Sequence, residues 1–305
     1  MYSTIVVGWD ASEGARDALA LAALLRAPDG TAIAACVYHD EASGSPAAED
    51  AGRQPVDVAT AERARELLAA TGPNATWLET VAVSAASATD GLCALVTQRN
   101  ASLLVIGSSR HARPGRVHTG CVGRSVLRHP PCAVALPPSG FRHHARAPRS
   151  VGVAFDGAHQ LSAVSDAAAL ARSLTAGLHL LCVVPPLPTW ARSAGESAGY
   201  EWDVISSQHR NHFRHLLDQA TADLDDAPAT ARLLEGQPLA NVLAAETQGL
   251  DLLVLGVPAS GVLRRIFAGD TAGAVLSATC PVLVIADPPM ATDPGAVGDG
   301  EPVRA

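Results

Sequence analysis

The sequence predicts an α/β protein of two tandem domains, each containing a five-stranded parallel sheet. One supporting observation is an internal duplication, because three segments of the first half recur in the same order about 146 to 149 residues later. The matching pairs are STIVVGWDASEG and SVGVAFDGAHQ, ASLLVIGSS and LDLLVLGVP, and TGCVGRSVL and AGDTAGAVL. A repeat of this length indicates two domains rather than an array of short units.

The second observation is that apolar strand-like runs alternate with helical patterns in each half. This alternation is typical of parallel strands joined by right-handed helical crossovers. Runs such as LLVIG and PVLVIA are almost continuously apolar, as expected when helices cover both faces of a sheet.

The elements of the first half follow in chain order. A β-branched run at 4–8 precedes a helix at 12–26, whose apolar residues recur at helical spacing. The Gly-Pro-Asn sequence at 72–74 ends the second helix. The other predictions are strands at 31–38, 76–83, 102–106 and 132–136, and helices at 58–70, 89–98 and 122–128. The second half repeats this series.

The duplication places the domains at 1–138 and 149–287. The connection at 139–148 overlaps the basic sequence FRHHARAPR, which we interpret as a solvated linker. Residues 288–305 combine Pro, Gly and acidic residues without periodicity, so we expect a disordered tail.

Composition excludes several function classes. The net charge of -8 argues against bulk binding to nucleic acid. All 22 basic residues are arginine, which excludes a lysine-containing phosphate loop and a Schiff-base mechanism. The six cysteines form no C-x-x-C pair, which indicates reduced thiols in a cytoplasmic protein. We expect neither a signal peptide nor a transmembrane helix, and therefore no membrane partner.

Candidate binding residues lie where strands end, because ligands of open parallel sheets bind outside the carboxyl ends of the strands. A helix that starts there also favours anions through its free amides. The positions concerned follow the first, second and fourth strands of each half. They are Asp10, Val37, Gly107 and Gly120, with the counterparts Asp156, Val183, Gly256 and Gly269.

With these motifs, both halves resemble the universal stress protein domain, and the whole chain resembles a tandem universal stress protein. The resemblance implies a Rossmann-like fold of the adenine-nucleotide-binding type, with two domains packed about a pseudo-twofold axis through their last strands, CAVAL and PVLVI. It also implies that a G-x2-G-x9-G-[ST] loop holds the phosphates of ATP or AMP, with Mg²⁺ accompanying ATP. The early aspartate and the end of the second strand would contact the adenosine.

The chain departs from this motif at two positions in each half. Arg110 and Ala259 replace the second glycine, and Cys121 and Asp270 replace the Ser/Thr. A carboxylate at Asp270 would repel a phosphate, so the second half is predicted to be the weaker site. In the first half the loop instead carries arginine and histidine, and arginine pairs well with phosphate.

The resulting hypothesis is a stress-response regulator that senses ATP or AMP, mainly in domain 1, without obligatory turnover and with an unidentified protein partner. The alternative is a nucleotide-free scaffold of the same fold that binds a partner protein. An adenine-nucleotide hydrolase is a third hypothesis, which nothing in the predicted binding loops favours. The chain forms an internal pseudo-dimer and could form a homodimer.

Two further constellations have two interpretations each. Cys121 at a predicted helix start is either a redox-sensing thiol or a replacement for serine that packs against the loop. His209, His212 and His215 recur every three residues, and either ligate a metal or belong to a solvated or dimer-facing helix.

Overall fold

The computed structural model describes residues 1–39, 61–69, 76–155, 161–184, 187, 202–224, 229–236, 239–257 and 278–286. Residues 40–60 after the second strand, the predicted helix end at 72–74 and the predicted tail at 288–305 lie outside these residues.

The first domain alternates strands and helices as predicted. Ser12 caps the first helix, since its side chain accepts a hydrogen bond from the amide of Ala15. The strands are β1 (Tyr2–Gly8), β2 (Arg26–Tyr38), β3 (Leu78–Ser84), β4 (Leu103–Val105) and β5 (Ala133–Leu136), and the helices are α1 (Glu13–Leu25), α2 (Ala61–Ala69), α3 (Ala88–Gln98) and α4 (Cys121–Arg128).

After a 3-10 helix at Phe141–His143, the described residues of the second domain follow the same order as far as the fourth strand, and the last strand is also described. Its strands are β6 (Ser150–Phe155), β7 (Gly177–Val183), β8 (Ala229–Leu234), β9 (Leu252–Val257) and β10 (Val282–Ala286). Its helices are α5 (Leu161–Leu174), α6 (Trp202–Ala222) and α7 (Leu239–Glu246), the last followed by a 3-10 helix at Thr247–Gly249.

The ten strands form one continuous sheet in the order β3-β2-β1-β4-β5-β10-β9-β6-β7-β8. Strand pairs within each domain are parallel, and the two domains join through antiparallel pairing of β5 with β10, where Ala135 lies opposite Leu283. The predicted contact through the last strands is therefore confirmed. Because the strand order is mirrored about this antiparallel junction, the domains are related by a pseudo-twofold axis.

The antiparallel junction places the carboxyl ends of the two sets of strands at opposite edges of the sheet. The binding edge of the first domain therefore lies beside the amino ends of the strands of the second. Two hydrophobic clusters cover the two faces, and each contains buried residues from both domains. The halves thus share their core.

Strand β2 starts earlier than the sequence predicted. Arg26 pairs with Tyr2, and the regular register resumes at Thr31 opposite Thr4. The Arg26 guanidinium holds the irregular turn by donating to the carbonyls of Ala27, Pro28 and Gly30 at 2.8, 2.7 and 2.9 Å. A side-chain interaction therefore extends the strand through a Pro-Asp-Gly sequence typical of a turn.

Each end of the connection between the domains is held by a different aspartate. The interpretation as a solvated linker did not predict these contacts. In the first domain, Asp17 accepts hydrogen bonds from the amides of Gly140 and Arg142. In the second, Asp251 accepts from the amides of Arg149 and Ser150 at 2.9 and 3.2 Å. Residues 143–147 between these anchors are exposed.

Asp251 makes the stability of the second domain dependent on pH. Partial burial opposes ionisation, but the hydrogen bond and charge of Arg146, together with backbone amides, hold the pKa of this carboxyl below its usual value. The unfolded chain therefore binds this proton at a higher pH than the folded chain does. The stabilisation is present above the unfolded pKa of about 3.9 and is lost as the pH falls through the folded pKa.

We expect Asp251→Asn to be less stable than the parent protein at neutral pH, with a difference that shrinks below about pH 4. Urea denaturation between neutral and acid pH measures this difference. Asp223→Asn is the matched control, because Asp223 is exposed and has no ion pair among the described residues. A pH-independent deficit for Asp251→Asn would contradict the linkage.

All six cysteines are described and free, as predicted. Burial raises the pKa of Cys132 and of Cys280 to about 12, so both thiols stay protonated at neutral pH. Among the described residues, no helix is long and apolar enough to cross a membrane.

Candidate functional site at the strand ends of domain 1

Asp10 follows β1 and stabilises the turn into α1. Its Oδ1 accepts a hydrogen bond from the amide of Ser12 at 2.9 Å, and Ala11 between them adopts a positive φ of 58°. The Asp10 side chain is exposed at the carboxyl edge of the sheet. Burial, followed by the charge of Asp10, raises the pKa of Cys36 in β2, which shows that this carboxylate lies near the end of the second strand.

Val37 lies at the end of β2 and packs against α3. A Cβ built on Gly91 of α3 would come within 2.8 Å of Val37 Cγ1. The absence of a side chain at Gly91 therefore lets the helix approach the strand. Val37 stays partly exposed, so one side of it remains available at the edge.

Gly107 is required by packing between backbones. A Cβ at Gly107 would lie 2.2 Å from the carbonyl of Gly14 in α1, and a Cβ at Gly14 would lie 2.3 Å from the carbonyl oxygen of Ser108. The loop after β4 thus rests directly on the first turn of α1. This contact brings the segment after Asp10 together with the segment after Gly107.

The loop from Ser108 to Thr119 is held by hydrogen bonds at its base. The buried Ser108 hydroxyl donates to the carbonyl of Pro137 at 2.7 Å and accepts from the amide of His118 at 3.1 Å. Ser109 closes the same base, since its amide donates to the His118 carbonyl at 2.8 Å. A turn from Ser109 to Ala112 then presents Arg110 to solvent.

Helix α4 starts beside this loop with an open N-terminus. Its N-cap is Gly120, which has no side chain to accept from the first-turn amides. A Cβ on Gly120 would meet only Ser109 Cβ, at 3.8 Å. Cys121, the first helical residue, is exposed. The first-turn amides of α4 can donate hydrogen bonds to an anion. A redox role for Cys121 stays a prediction.

The sequence around this site is rich in arginine, although the net charge of the whole chain is -8. Residues 91–155 contain no Asp or Glu, although the chain has 30 acidic residues. The same stretch contains nine arginines: Arg99, Arg110, Arg113, Arg116, Arg124, Arg128, Arg142, Arg146 and Arg149. An acid-free window can be read from sequence; within it, Arg99, Arg142 and Arg146 pair with acidic residues from other parts of the chain.

At the corresponding edge of the second domain, the structure describes two of the four predicted site residues. Val183 is fully buried at the end of β7, opposite Leu234. Gly256 lies in β9, opposite Ile285. The other predicted site residues, Asp156 and Gly269, and the predicted repulsive Asp270, lie outside the described residues. The ranking of the two sites therefore stays a prediction.

The histidines of α6 flank an aromatic side chain. His209 and His212 make edge contacts with Phe213, with ring centroids 5.0 and 5.2 Å apart. His215 contacts Gln219 through ring and amide nitrogens 3.1 Å apart. The described part of the chain contains no group of three potential metal ligands, so the metal hypothesis gains no support.

The model of the universal stress protein family matches residues 1–137 and again residues 148–286. A search of curated proteins gave no match.

Among solved structures, one similar chain is a universal stress protein from Archaeoglobus fulgidus, with a TM-score of 0.57, 14% identity, and coverage of 93% of this chain and 98% of that one. A protein of Pseudomonas aeruginosa UCBPP-PA14 assigned as a universal stress protein has a TM-score of 0.56, 16% identity and 93% coverage of both chains. A family member from Burkholderia pseudomallei matches 45% of this chain and 95% of its own at 27% identity and a TM-score of 0.34.

The first two likenesses cover both halves of the sheet and show the shared fold, while the two family-model matches together span nearly the whole chain. The chain therefore belongs to the universal stress protein family and carries two domains of that family in tandem.

Proposed function

We propose that the protein is a cytoplasmic stress-response regulator that binds ATP or AMP at the strand ends of its first domain and acts through binding rather than obligatory turnover. Binding would favour a conformation that a partner protein recognises. The observation that carries this proposal is the open start of α4, where Gly120 leaves the helix amides uncapped.

The electrostatic sign of the site supports an anionic ligand. Arg110 is exposed on the loop beside Gly120, within a stretch of sequence that contains no acidic residue. Uncapped amides at a helix start add a partial positive charge. Backbone donors and the Arg110 guanidinium would therefore hold the phosphate groups. They would do so although Arg110 stands in place of the motif's second glycine and Cys121 in place of its Ser/Thr hydroxyl.

The strand ends supply surfaces for the remainder of a nucleotide. Val37 offers an apolar, partly exposed contact, and Asp10 offers an exposed carboxylate that can accept hydrogen bonds from hydroxyl groups. Mg²⁺ would arrive with ATP, because it binds phosphate oxygens together with one or two carboxylates. Asp10 already accepts a hydrogen bond from the Ser12 amide. This contact favours an orienting role for the carboxylate rather than that of a general base.

We expect Gly120→Ala to weaken ATP or AMP binding by about tenfold, since its methyl group would stand between a phosphate and the helix amides. The methyl group has room in the free protein, so the variant should fold. Isothermal titration calorimetry measures the affinity. Gly177→Ala is the matched control in the second domain, because its Cβ would also make only an ordinary contact, 3.8 Å from the Arg149 carbonyl oxygen.

One observation favours the alternative of a nucleotide-free scaffold. Gly14, Ser108, Pro137 and His118 already hold the loop through protein contacts, so its fold needs no ligand. If the parent protein binds neither nucleotide, and none is released on denaturing the purified protein, the sensor proposal fails and the scaffold remains. Equal affinity in Gly120→Ala and the parent would place the nucleotide elsewhere.

A further inference from the structure

Strand β3 forms one outer edge of the ten-stranded sheet. It pairs with β2 in an unbroken parallel register from Leu78 to Ser84, and no described strand pairs with its other side. The side chains of Thr80, Ala82 and Ser84 are exposed. Because an edge strand presents a row of backbone N–H and C=O groups, a strand of another molecule can extend the sheet at this edge.

The two outer edges of the sheet differ in how they are protected. β3 has no charged residue and no proline from Thr80 to Ser84, and its register with β2 contains no bulge. The other outer strand, β8, contains Arg232, whose side chain is 61% exposed and pairs with Glu246 at 2.6 Å. Charged side chains and bulges discourage pairing between sheet edges. Of the two edges, β3 is therefore the one open to pairing.

The sequence of this edge indicates which partner fits it. Residues 80–84 read Thr-Val-Ala-Val-Ser, which is nearly the same sequence in both directions. If two copies of β3 pair antiparallel about Ala82, Val81 lies opposite Val83 of the second copy, and Thr80 lies opposite Ser84. Opposite residues of an antiparallel pair contact each other on one face. The edge is thus self-complementary, as an interface between identical subunits about a two-fold axis requires.

Packing and charge also suit this pairing. Val81 and Val83 are only partly buried where they pack against the cluster that α3 covers, so pairing would bury more of both valines in each copy. The nearest charged residue, Glu79, pairs with Arg99 at 2.6 Å. In this register Glu79 would lie opposite Ala85 of the second copy, and the two Glu79 side chains would lie at opposite ends of the interface. No like charges would therefore meet.

The chain already joins its own two domains by the same kind of contact. The edge strands β5 and β10 pair antiparallel over three register positions. Equivalent faces of the two domains lie side by side across this junction, since one cluster contains Leu92 of α3 and Leu243 of α7. Pairing of β3 with its copy about Ala82 would likewise bring equivalent faces together, and it would use the five positions from Thr80 to Ser84.

We propose that β3 is the interface of a homodimer, in which two chains pair antiparallel about Ala82 and form one continuous sheet. The two-fold axis closes this assembly, and the charge of Arg232 on β8 discourages further growth at the remaining edges. The interface does not depend on nucleotide binding, so its test is independent of the proposed function.

The test places like charges on the two-fold axis. Sedimentation velocity of the full chain at about 100 μM should show a dimer. Ala82→Lys should weaken dimerisation at least about tenfold at low ionic strength, because the lysines of the two copies would face each other. Ala82→Glu should have the same effect. An equimolar mixture of the two variants should recover the dimer, because lysine would then face glutamate.

The other edge of the sheet supplies the matched control. Ala231 is exposed on β8 as Ala82 is on β3, so Ala231→Lys adds the same charge to an edge strand outside the proposed interface. It should leave the dimerisation constant within about twofold. Recovery of the dimer in the mixture also shows that Ala82→Lys and Ala82→Glu are folded, because an unfolded strand could not pair.

Four results would overturn the proposal. A monomeric parent protein at about 100 μM would show that the edge stays unpaired. A dimer that persists in Ala82→Lys would place the interface elsewhere. Equal weakening by Ala82→Lys and Ala231→Lys would indicate a general charge effect. Failure of the mixture to recover the dimer would show that the two Ala82 positions do not face each other.

Discussion

Replacing Asp17 with alanine is expected to lower the free energy of unfolding by about 3 kcal/mol, although this residue has no part in the proposed nucleotide site. Asp17 lies on α1 and is completely buried. Its two carboxylate oxygens accept from the amides of Gly140 and Arg142 at 2.7 and 2.9 Å. The Arg142 guanidinium lies 3.9 Å from the same carboxylate.

The size of this loss follows from what the substitution leaves behind. Two backbone donors would lose their acceptor in a partly buried place, and each unsatisfied donor costs about 1 to 3 kcal/mol. Asp17→Asn keeps one acceptor oxygen, so we expect a smaller loss, about half as large. Urea denaturation followed by circular dichroism measures both variants.

Glu13→Gln provides the control, because Glu13 is the other partner of Arg142 and is exposed. Exposed ion pairs contribute little, so this variant should lose much less stability than Asp17→Ala. If Glu13→Gln and Asp17→Ala lower the free energy of unfolding by similar amounts, the stabilisation comes from the charge on Arg142 rather than from the hydrogen bonds between Asp17 and the backbone amides.

Gly107→Ala is expected to lose about 3 kcal/mol or to displace the loop after β4. Its methyl group would lie 2.2 Å from the Gly14 carbonyl. Both groups belong to the backbone, so neither can move aside as a flexible side chain would. Relief requires separating β4 from α1, and both contribute to one buried cluster through Leu103 and Leu21.

Gly120→Ala is the control for the role of glycine itself in this loop. Its Cβ would have open space, so we expect a loss of at most about 1 kcal/mol, because alanine is a poorer N-cap than glycine. Thermal unfolding of the two variants separates the cases. Equal stability of Gly107→Ala and the parent would show that α1 and the loop do not touch in solution.

The motif glycines therefore separate into two physical classes. Gly107 and Gly120 occupy comparable places in the G-x2-G-x9-G pattern, yet Gly107 is filled by its own chain and Gly120 is open. A sequence pattern cannot distinguish them, because the residue that needs the space at Gly107 is Gly14, 93 positions earlier. Packing between distant segments decided which glycine remains available to a ligand.

The same contrast applies to the linker. Its basic composition indicated a solvated connector, and residues 143–147 are exposed. Its two ends are nevertheless fixed by Asp17 and Asp251. Neither aspartate is distinguishable in sequence from the many exposed acidic residues, since burial and hydrogen bonding depend on which segments meet after folding.

The sequence by itself determined the duplication, the alternation of strands and helices, and the loops that hold candidate ligand contacts. These features depend on local periodicity and on similarity along the chain, which a single sequence contains. Only the tertiary structure decided that the two binding sites lie at opposite edges of one sheet and that Gly14 fills the space at Gly107. Each of these depends on contacts between residues far apart in the chain, where burial and backbone approach are set by packing rather than by local pattern.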